Sequence, residues 1–267
     1  MTQAVAPIEG ARIQYEIEGE GSPVVLVNPG ALDCRIWDPQ WAPFTARHRV
    51  LRYDPRGFRG SSKPEGGFSH VSDLRALLDF TGISRAHVVG SSFGGSLALD
   101  FAAVHGERTA SLVLVGAGGP QNGFPMPADL FRSFAPVAQA MREDFARGID
   151  LWLEIDERMP RDPALRKVLR ENALENEGYW KIPSGWAEPL TPPVRERLKD
   201  MAVPTLLVVG ERDHAYTLDV AVLLEREMPR ARRVVVPGAG HLVHFEKPSA
   251  FNELVLAEIA GTPSGIH

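Results

Sequence analysis

The sequence predicts an α/β protein: a mostly parallel central sheet flanked by helices, with one all-helical insertion. Three observations carry this. Short β-branched runs recur along the chain, each closed by Gly, Asn, Asp or Pro. Helical patterns lie between several of them, as crossovers covering both faces of a parallel sheet require. From about residue 120 to 193 the strand signal stops, helix-like segments follow one another, and strands then return.

Taken in order, residues 12–18 alternate polar and apolar side chains and predict an antiparallel edge strand. Residues 24–28 and 50–54 predict buried strands. A helix over 71–81 carries Leu74, Leu77 and Leu78 on one face, and one over 95–105 carries Leu97, Leu99, Phe101 and Ala102. Strands are predicted at 87–90 and 112–115. The insertion reads as helices over 128–147, 149–158 and 163–175 and is rich in aromatic residues. After Val203-Pro204, strands at 205–210 and 233–237 precede a helix starting near Pro248, and 261–267 reads as a frayed tail. The division is therefore a core of 1–120 and 193–267 with a helical cap of 121–192.

The chain has 267 residues, 44% hydrophobic and 24% charged, which fits one large α/β domain plus an insertion. With 29 Lys+Arg against 34 Asp+Glu and no basic run longer than a pair, nothing invites a phosphate backbone, and nucleic acid is excluded as a partner. The single cysteine, Cys34, rules out an internal disulfide or a paired-thiol zinc or redox site. Met1 to Pro7 lack the basic and apolar regions of a secretory signal, and no run approaches about 18 apolar residues. A cytoplasmic protein without a membrane span is expected.

Chemistry concentrates at three strand ends. Gly90-Ser91-Ser92-Phe93-Gly94 lies between a strand and a helix. A serine on so sharp a turn needs very small neighbours two residues either side, and Gly90 and Gly94 supply them. The turn also puts Ser92 at a helix amino end, where free N–H groups favour negative charge. A serine hydroxyl needs a base, and the base needs an orienting acid. Asp213 follows the strand at 205–210, and His241 follows the strand at 233–237 within Gly238-Ala239-Gly240. Side chains at carboxyl ends of parallel strands converge on one crevice, so Ser92, Asp213 and His241 are the candidate triad. Glu211 and His244 are the nearest competitors for acid and base.

On these residues the chain resembles the α/β-hydrolase superfamily over essentially its full length, with the family's order of nucleophile, acid and histidine. Tyr53-Asp54-Pro55-Arg56-Gly57 and Gly210-Glu211-Arg212-Asp213 are similar to two further family motifs. Some relatives carry the acid one strand earlier, but residues 115–120 here contain no carboxylate. The resemblance implies an α/β-hydrolase fold with the cap inserted after strand 6. It also implies an oxyanion hole from the backbone N–H of Phe93 and of a residue in the loop after strand 3. That loop departs from the usual His-Gly and reads Asn28-Pro29-Gly30-Ala31. Pro29 has no N–H. Ungapped counting from Trp37 makes Gly30 the donor, and a one-residue deletion would make it Ala31. Arg59-Gly60 is a second departure, confined to a loop.

The expected function is a serine hydrolase acting on a carboxylic ester, lactone or thioester of a small apolar substrate through an acyl-enzyme, as a monomer or homodimer. No metal or organic cofactor is expected. Trp37, Trp152, Trp180 and Trp186 are candidate lining residues of an apolar substrate pocket. Cys34 reads as a small buried or loop residue, and 158–170 as the solvated face of a helix. Three alternatives share the fold: carbon–carbon bond hydrolysis of the meta-cleavage-product type, suggested by Val89 to Gly95, a cofactor-free lyase using His241 as base, and a small-molecule receptor.

Overall fold

The computed structural model describes residues 3–8 and 10–261. The expected frayed tail lies outside these except for Gly261, which sits in a turn. Eight strands form one sheet in the order β1-β2-β4-β3-β5-β6-β7-β8. They are β1 (Gln3–Ile8), β2 (Ala11–Glu18), β3 (Pro23–Val27), β4 (Arg49–Tyr53), β5 (Ala86–Ser91), β6 (Thr109–Val115), β7 (Thr205–Gly210) and β8 (Ala231–Val236). From β4 to β8 every neighbouring pair is parallel, while β1 and β2 are antiparallel additions.

The alternating pattern of 12–18 does form an antiparallel strand, but not at the edge. β2 pairs with β4 on one side and with β1 on the other, so β1 holds the edge. Only Ala6 of β1 is fully buried and Val5 is half exposed, so this strand carries almost no period-two hydrophobic signal.

Alternate side chains of the parallel strands feed two cores. Val25 and Val27 of β3 point to one face, where α2 (His70–Phe80), α3 (Phe93–Val104) and α9 (Ala215–Glu227) cover the sheet, the last being a helix the sequence reading leaves out. Val24 and Leu26 point to the other, covered by α1 (Asp38–Thr45), α11 (Pro248–Ile259) and part of the insertion. Also present are α4 (Ala128–Ser133), α5 (Ala135–Glu143), α6 (Phe145–Ile155), α7 (Pro163–Leu174) and α8 (Glu177–Trp180), all between β6 and β7, and the short α10 (Val243–Glu246).

The single helix expected over 128–147 is broken twice. Pro136 opens α5, and the Asp144 side chain accepts from the Arg147 N–H to start α6. Gly148, which reads in the sequence as a break, lies inside α6 because α5 passes too close for a side chain. A Cβ there would sit 2.6 Å from the Met141 backbone nitrogen. Among the described residues no helix is long and apolar enough to cross a membrane.

Strand order reverses at β3, with β4 on one side and β5 on the other. That reversal opens a crevice at the carboxyl ends of β3 and β5, the usual place for a ligand in such sheets.

Candidate active site

Ser92 sits between β5 and α3 at φ +52° and ψ −114°, a conformation rare for a residue with a side chain. Its backbone is held from both sides: the Ser92 N–H donates to Val115 O at 2.7 Å, and its carbonyl accepts from the Ser96 N–H at 2.9 Å. The glycines that frame it have no room for more. A Cβ on Gly94 would lie 2.2 Å from the Val27 carbonyl oxygen, and one on Gly90 2.2 Å from that of Gly94.

The side chain of Ser92 meets His241, whose Nε2 lies 2.9 Å from Oγ. On the far side of the ring, Nδ1 lies 2.8 Å from Oδ2 of Asp213. The other carboxylate oxygen accepts from the His214 N–H at 2.7 Å. Burial works to raise the Asp213 carboxyl, but the charge and hydrogen bond of His241, the His214 N–H and the Arg158 charge outweigh it and hold it below the usual range. Gly116, at the end of β6, makes space for the pair: a Cβ there would be 2.9 Å from His241 Nδ1. A side chain at this strand end would therefore displace the imidazole.

The loop carrying His241 is pinned by three bonds. Gly240 N–H donates to Glu246 Oε1 at 2.9 Å, Arg212 N–H to Ala239 O at 2.9 Å, and His241 N–H to Arg158 O, also at 2.9 Å. The last reaches across to the insertion. Neither competitor occupies a triad position. Glu211 caps the Gly238 N–H at 2.8 Å, and His244 is fully buried against the Trp37 ring, where burial pushes it down to about 3.

The N–H groups of Phe93, Gly30 and Ala31 have no acceptor among the described residues. Gly30 faces Phe93 directly, since a Cβ on it would lie 3.5 Å from Phe93 Cβ and 2.5 Å from the Tyr179 hydroxyl. Asn28 stands where relatives have histidine and donates through Nδ2 to Tyr53 O at 3.0 Å, which fixes this loop to the neighbouring strand end.

Two cavities meet at Ser92 and His241. One of about 150 Å³ is bounded by Gly30, Leu32, Trp152, Met159 and Trp180 and is apolar on that side, with Ser92, His241, Arg158 and Tyr179 as its polar lining. The other, of about 520 Å³, extends along α3 past Ser96 and Asp100 to Gln121 and Thr217. Tyr179 and Arg158 line both. Of the four tryptophans singled out, Trp152 and Trp180 line the small cavity. Trp37 does not: it is fully buried and stacks on His244 and Phe251. Trp186 lines neither, and its carbonyl accepts from Phe68 N–H at 2.9 Å.

Arg158 departs from the solvated helical face expected at 158–170, where Arg161, Asp162 and Lys167 are exposed. It precedes α7, and its Nε and Nη2 clasp Asp156 at 2.7 Å each. Asp100 and His70 line the larger cavity without any sequence pattern that points to them, and Tyr179, one of the aromatic residues of the insertion, lines it too. Burial holds His70 down to about 4, so it is neutral against Phe93.

Among the described residues one grouping offers metal donors, Asp33, Cys34 and Asp54. Its carboxylates are already engaged, Asp33 by Arg35 and Asn176, Asp54 by Asn28 and the Cys34 N–H. Burial also pushes the Cys34 thiol up, away from the thiolate a metal needs.

A family model described as "Alpha/beta hydrolase family" matches residues 24–254. The 2-hydroxy-6-oxo-6-phenylhexa-2,4-dienoate hydrolase of Burkholderia cepacia is 30% identical over 93% of this chain and 91% of its own length. Among solved structures, an enol-lactonase from Burkholderia xenovorans LB400 superposes with a TM-score of 0.79 at 26% identity, covering 96% of this chain and 100% of that one. An esterase from Rhodococcus sp. ECU1013 gives 0.83 at 25% identity, with coverage of 97% and 99%.

Proposed function

The chain belongs to the alpha/beta hydrolase family, and on that footing we propose that it is a serine hydrolase cleaving a carboxylic ester, lactone or thioester through an acyl-enzyme. The observation that carries this reading is the continuous chain from Ser92 Oγ through His241 to Asp213, at 2.9 and 2.8 Å. His241 Nε2 takes the Ser92 proton as Oγ attacks the acyl carbon, then returns it to the leaving oxygen or sulfur. Asp213 accepts from Nδ1–H, fixes the tautomer and stabilises the imidazolium. Water, deprotonated by the same nitrogen, attacks the acyl-enzyme and releases the acid. The Phe93 and Gly30 N–H groups, free of protein acceptors among the described residues and carried by segments that pack against each other, bind the developing oxyanion.

Residues 121–192 act as the cap that selects the substrate. A volume of about 150 Å³ holds a group the size of benzene, so the small chamber suits a short or compact acyl group whose apolar part lies against Leu32, Trp152, Met159 and Trp180. The lactonase and esterase likenesses support ester-type chemistry. Carbon–carbon hydrolysis is the second reading, favoured by the relative that acts on a dienoate. A dienoate carries a carboxylate that must be met by a cation. Among the described residues the one Arg or Lys that lines either cavity, Arg158, already clasps Asp156.

Acid quenching during turnover of a short-chain thioester, followed by intact mass and peptide mapping, tests the proposal. The expected result is an acyl adduct on Ser92 that is absent from Ser92→Ala, which is also inactive. Turnover that survives in Ser92→Ala would replace it with a base-only lyase. Cleavage of the dienoate with no ester, lactone or thioester turnover would favour the second reading.

A further inference from the structure

The larger cavity has a feature that ester hydrolysis does not require. Asp100 lies eight residues beyond Ser92 on α3, a rise of about 12 Å along the helix. It is only 7% exposed, yet no Lys or Arg among the described residues is within ion-pairing distance of it. Its Oδ1 accepts from Asn122 Nδ2 at 2.8 Å, and Oδ2 has no donor among the described residues. Asn122 is itself fixed, donating to Ser96 O at 3.2 Å and accepting from Gly119 N–H at 3.1 Å. The carboxylate is therefore held in one orientation on the cavity wall.

The charges around it do not compensate for it. Glu188 adds a second carboxylate to the lining, and Arg158 is committed to Asp156. Burial pushes the Asp100 carboxyl up to about 7, against the Asn122 hydrogen bond and the more distant Arg197 charge. A buried carboxylate without a cation is costly, and a ligand that brings one removes that cost.

Building on the acyl-enzyme reading, we propose that Asp100 forms a cation subsite, so that the substrate carries a protonated amine at the end of the group occupying the larger cavity, roughly 8–12 Å from the scissile bond. An ammonium donates to Oδ2 while the intervening chain lies along Leu97 and Val71, and a carboxylate at the same position is repelled. The acidic wall also separates this cavity from one made for a dienoate.

The test compares four butyrate esters at pH 8: 6-aminohexyl, 6-hydroxyhexyl, heptyl and 5-carboxypentyl. An amine of this kind is protonated there. The expected kcat/KM for the ammonium ester exceeds that of heptyl by about ten- to a hundredfold, the range of a hydrogen bond to a charged partner, with the carboxylate ester slowest. In Asp100→Asn the ammonium-to-heptyl ratio falls to within about twofold of one. A ratio near one in the wild type, a hydroxyl ester matching the ammonium ester, or a ratio that collapses in Glu188→Gln and not in Asp100→Asn would each overturn the assignment.

Heptyl butyrate separately reports on the hydrolase reading. If it is not turned over, calorimetric binding of hexylammonium still decides the subsite. It is expected to weaken at least tenfold in Asp100→Asn, whose fold is checked by circular dichroism, and equal binding to both proteins would reject the subsite.

Discussion

The strand ends and the helical insertion face each other across Ser92, and they are built on different principles. On the strand side, position is enforced by backbone sterics. Ser92 is clamped between Val115 and Ser96, and a methyl group on Gly90, Gly94 or Gly116 would collide with backbone or with the imidazole. On the insertion side, the site is bordered by side chains of short helices and loops, Trp152, Arg158, Tyr179 and Trp180. Among the described residues one backbone hydrogen bond, His241 N–H to Arg158 O, ties that side to Ser92, Asp213 and His241. Under the proposed function, the contrast assigns the chemistry to the sheet and the selectivity to packing against it, so changes on the two sides should differ in kind.

The sharpest break is Ser92→Ala, expected to lower kcat by a factor on the order of 10⁴–10⁶ while the fold is retained. Asp213→Asn keeps the volume but loses the charge and the tautomer control, and a fall of about 10⁴ in kcat with little change in KM is expected from steady-state kinetics. Gly116→Ala puts a methyl 2.9 Å from the His241 ring. Displacing a reacting group by a fraction of an ångström should cost about 10² in kcat/KM, with a smaller effect on Tm.

Asp100→Asn tests the wall opposite the insertion through stability. The folded carboxyl is raised to about 7 against an ordinary 3.8, so the folded state binds the proton more tightly than the unfolded chain does. Native stability therefore falls as pH rises from about 4 to 7, and the asparagine variant escapes that loss. A gain of up to about 4 kcal/mol over the wild type is expected at pH 8, shrinking towards zero near pH 4, measured by urea unfolding. The mildest change lies in the insertion. Trp152→Ala enlarges the small chamber, and its expected signature is a several-fold shift in kcat/KM from short to longer acyl chains, with the triad chemistry intact.

The same contrast decides what the sequence discloses. Ser92, Asp213 and His241 are legible because each follows a β-branched strand and lies beside glycines that the backbone cannot do without. Gly30 is legible only by counting from Trp37, because Pro29 disguises the loop. Trp37 misleads, since an aromatic residue close to a site in sequence is as well suited to the core as to a pocket, and here it stacks on His244. Asp100 is silent in the sequence, and only the structure places it on the cavity beside α3. Within the insertion, helices are visible but their breaks at Pro136 and Asp144 depend on how α5 crosses α6. β1 escapes because an edge strand with one fully buried side chain has no periodicity to read.

The most direct test of the account is labelling of the folded protein with a fluorophosphonate, located by intact mass and peptide mapping. The account predicts a single adduct on Ser92 that His241→Ala abolishes, because the hydroxyl reacts only when Nε2 takes its proton. An adduct that forms equally in His241→Ala, or one on another residue with Ser92 untouched, would contradict it.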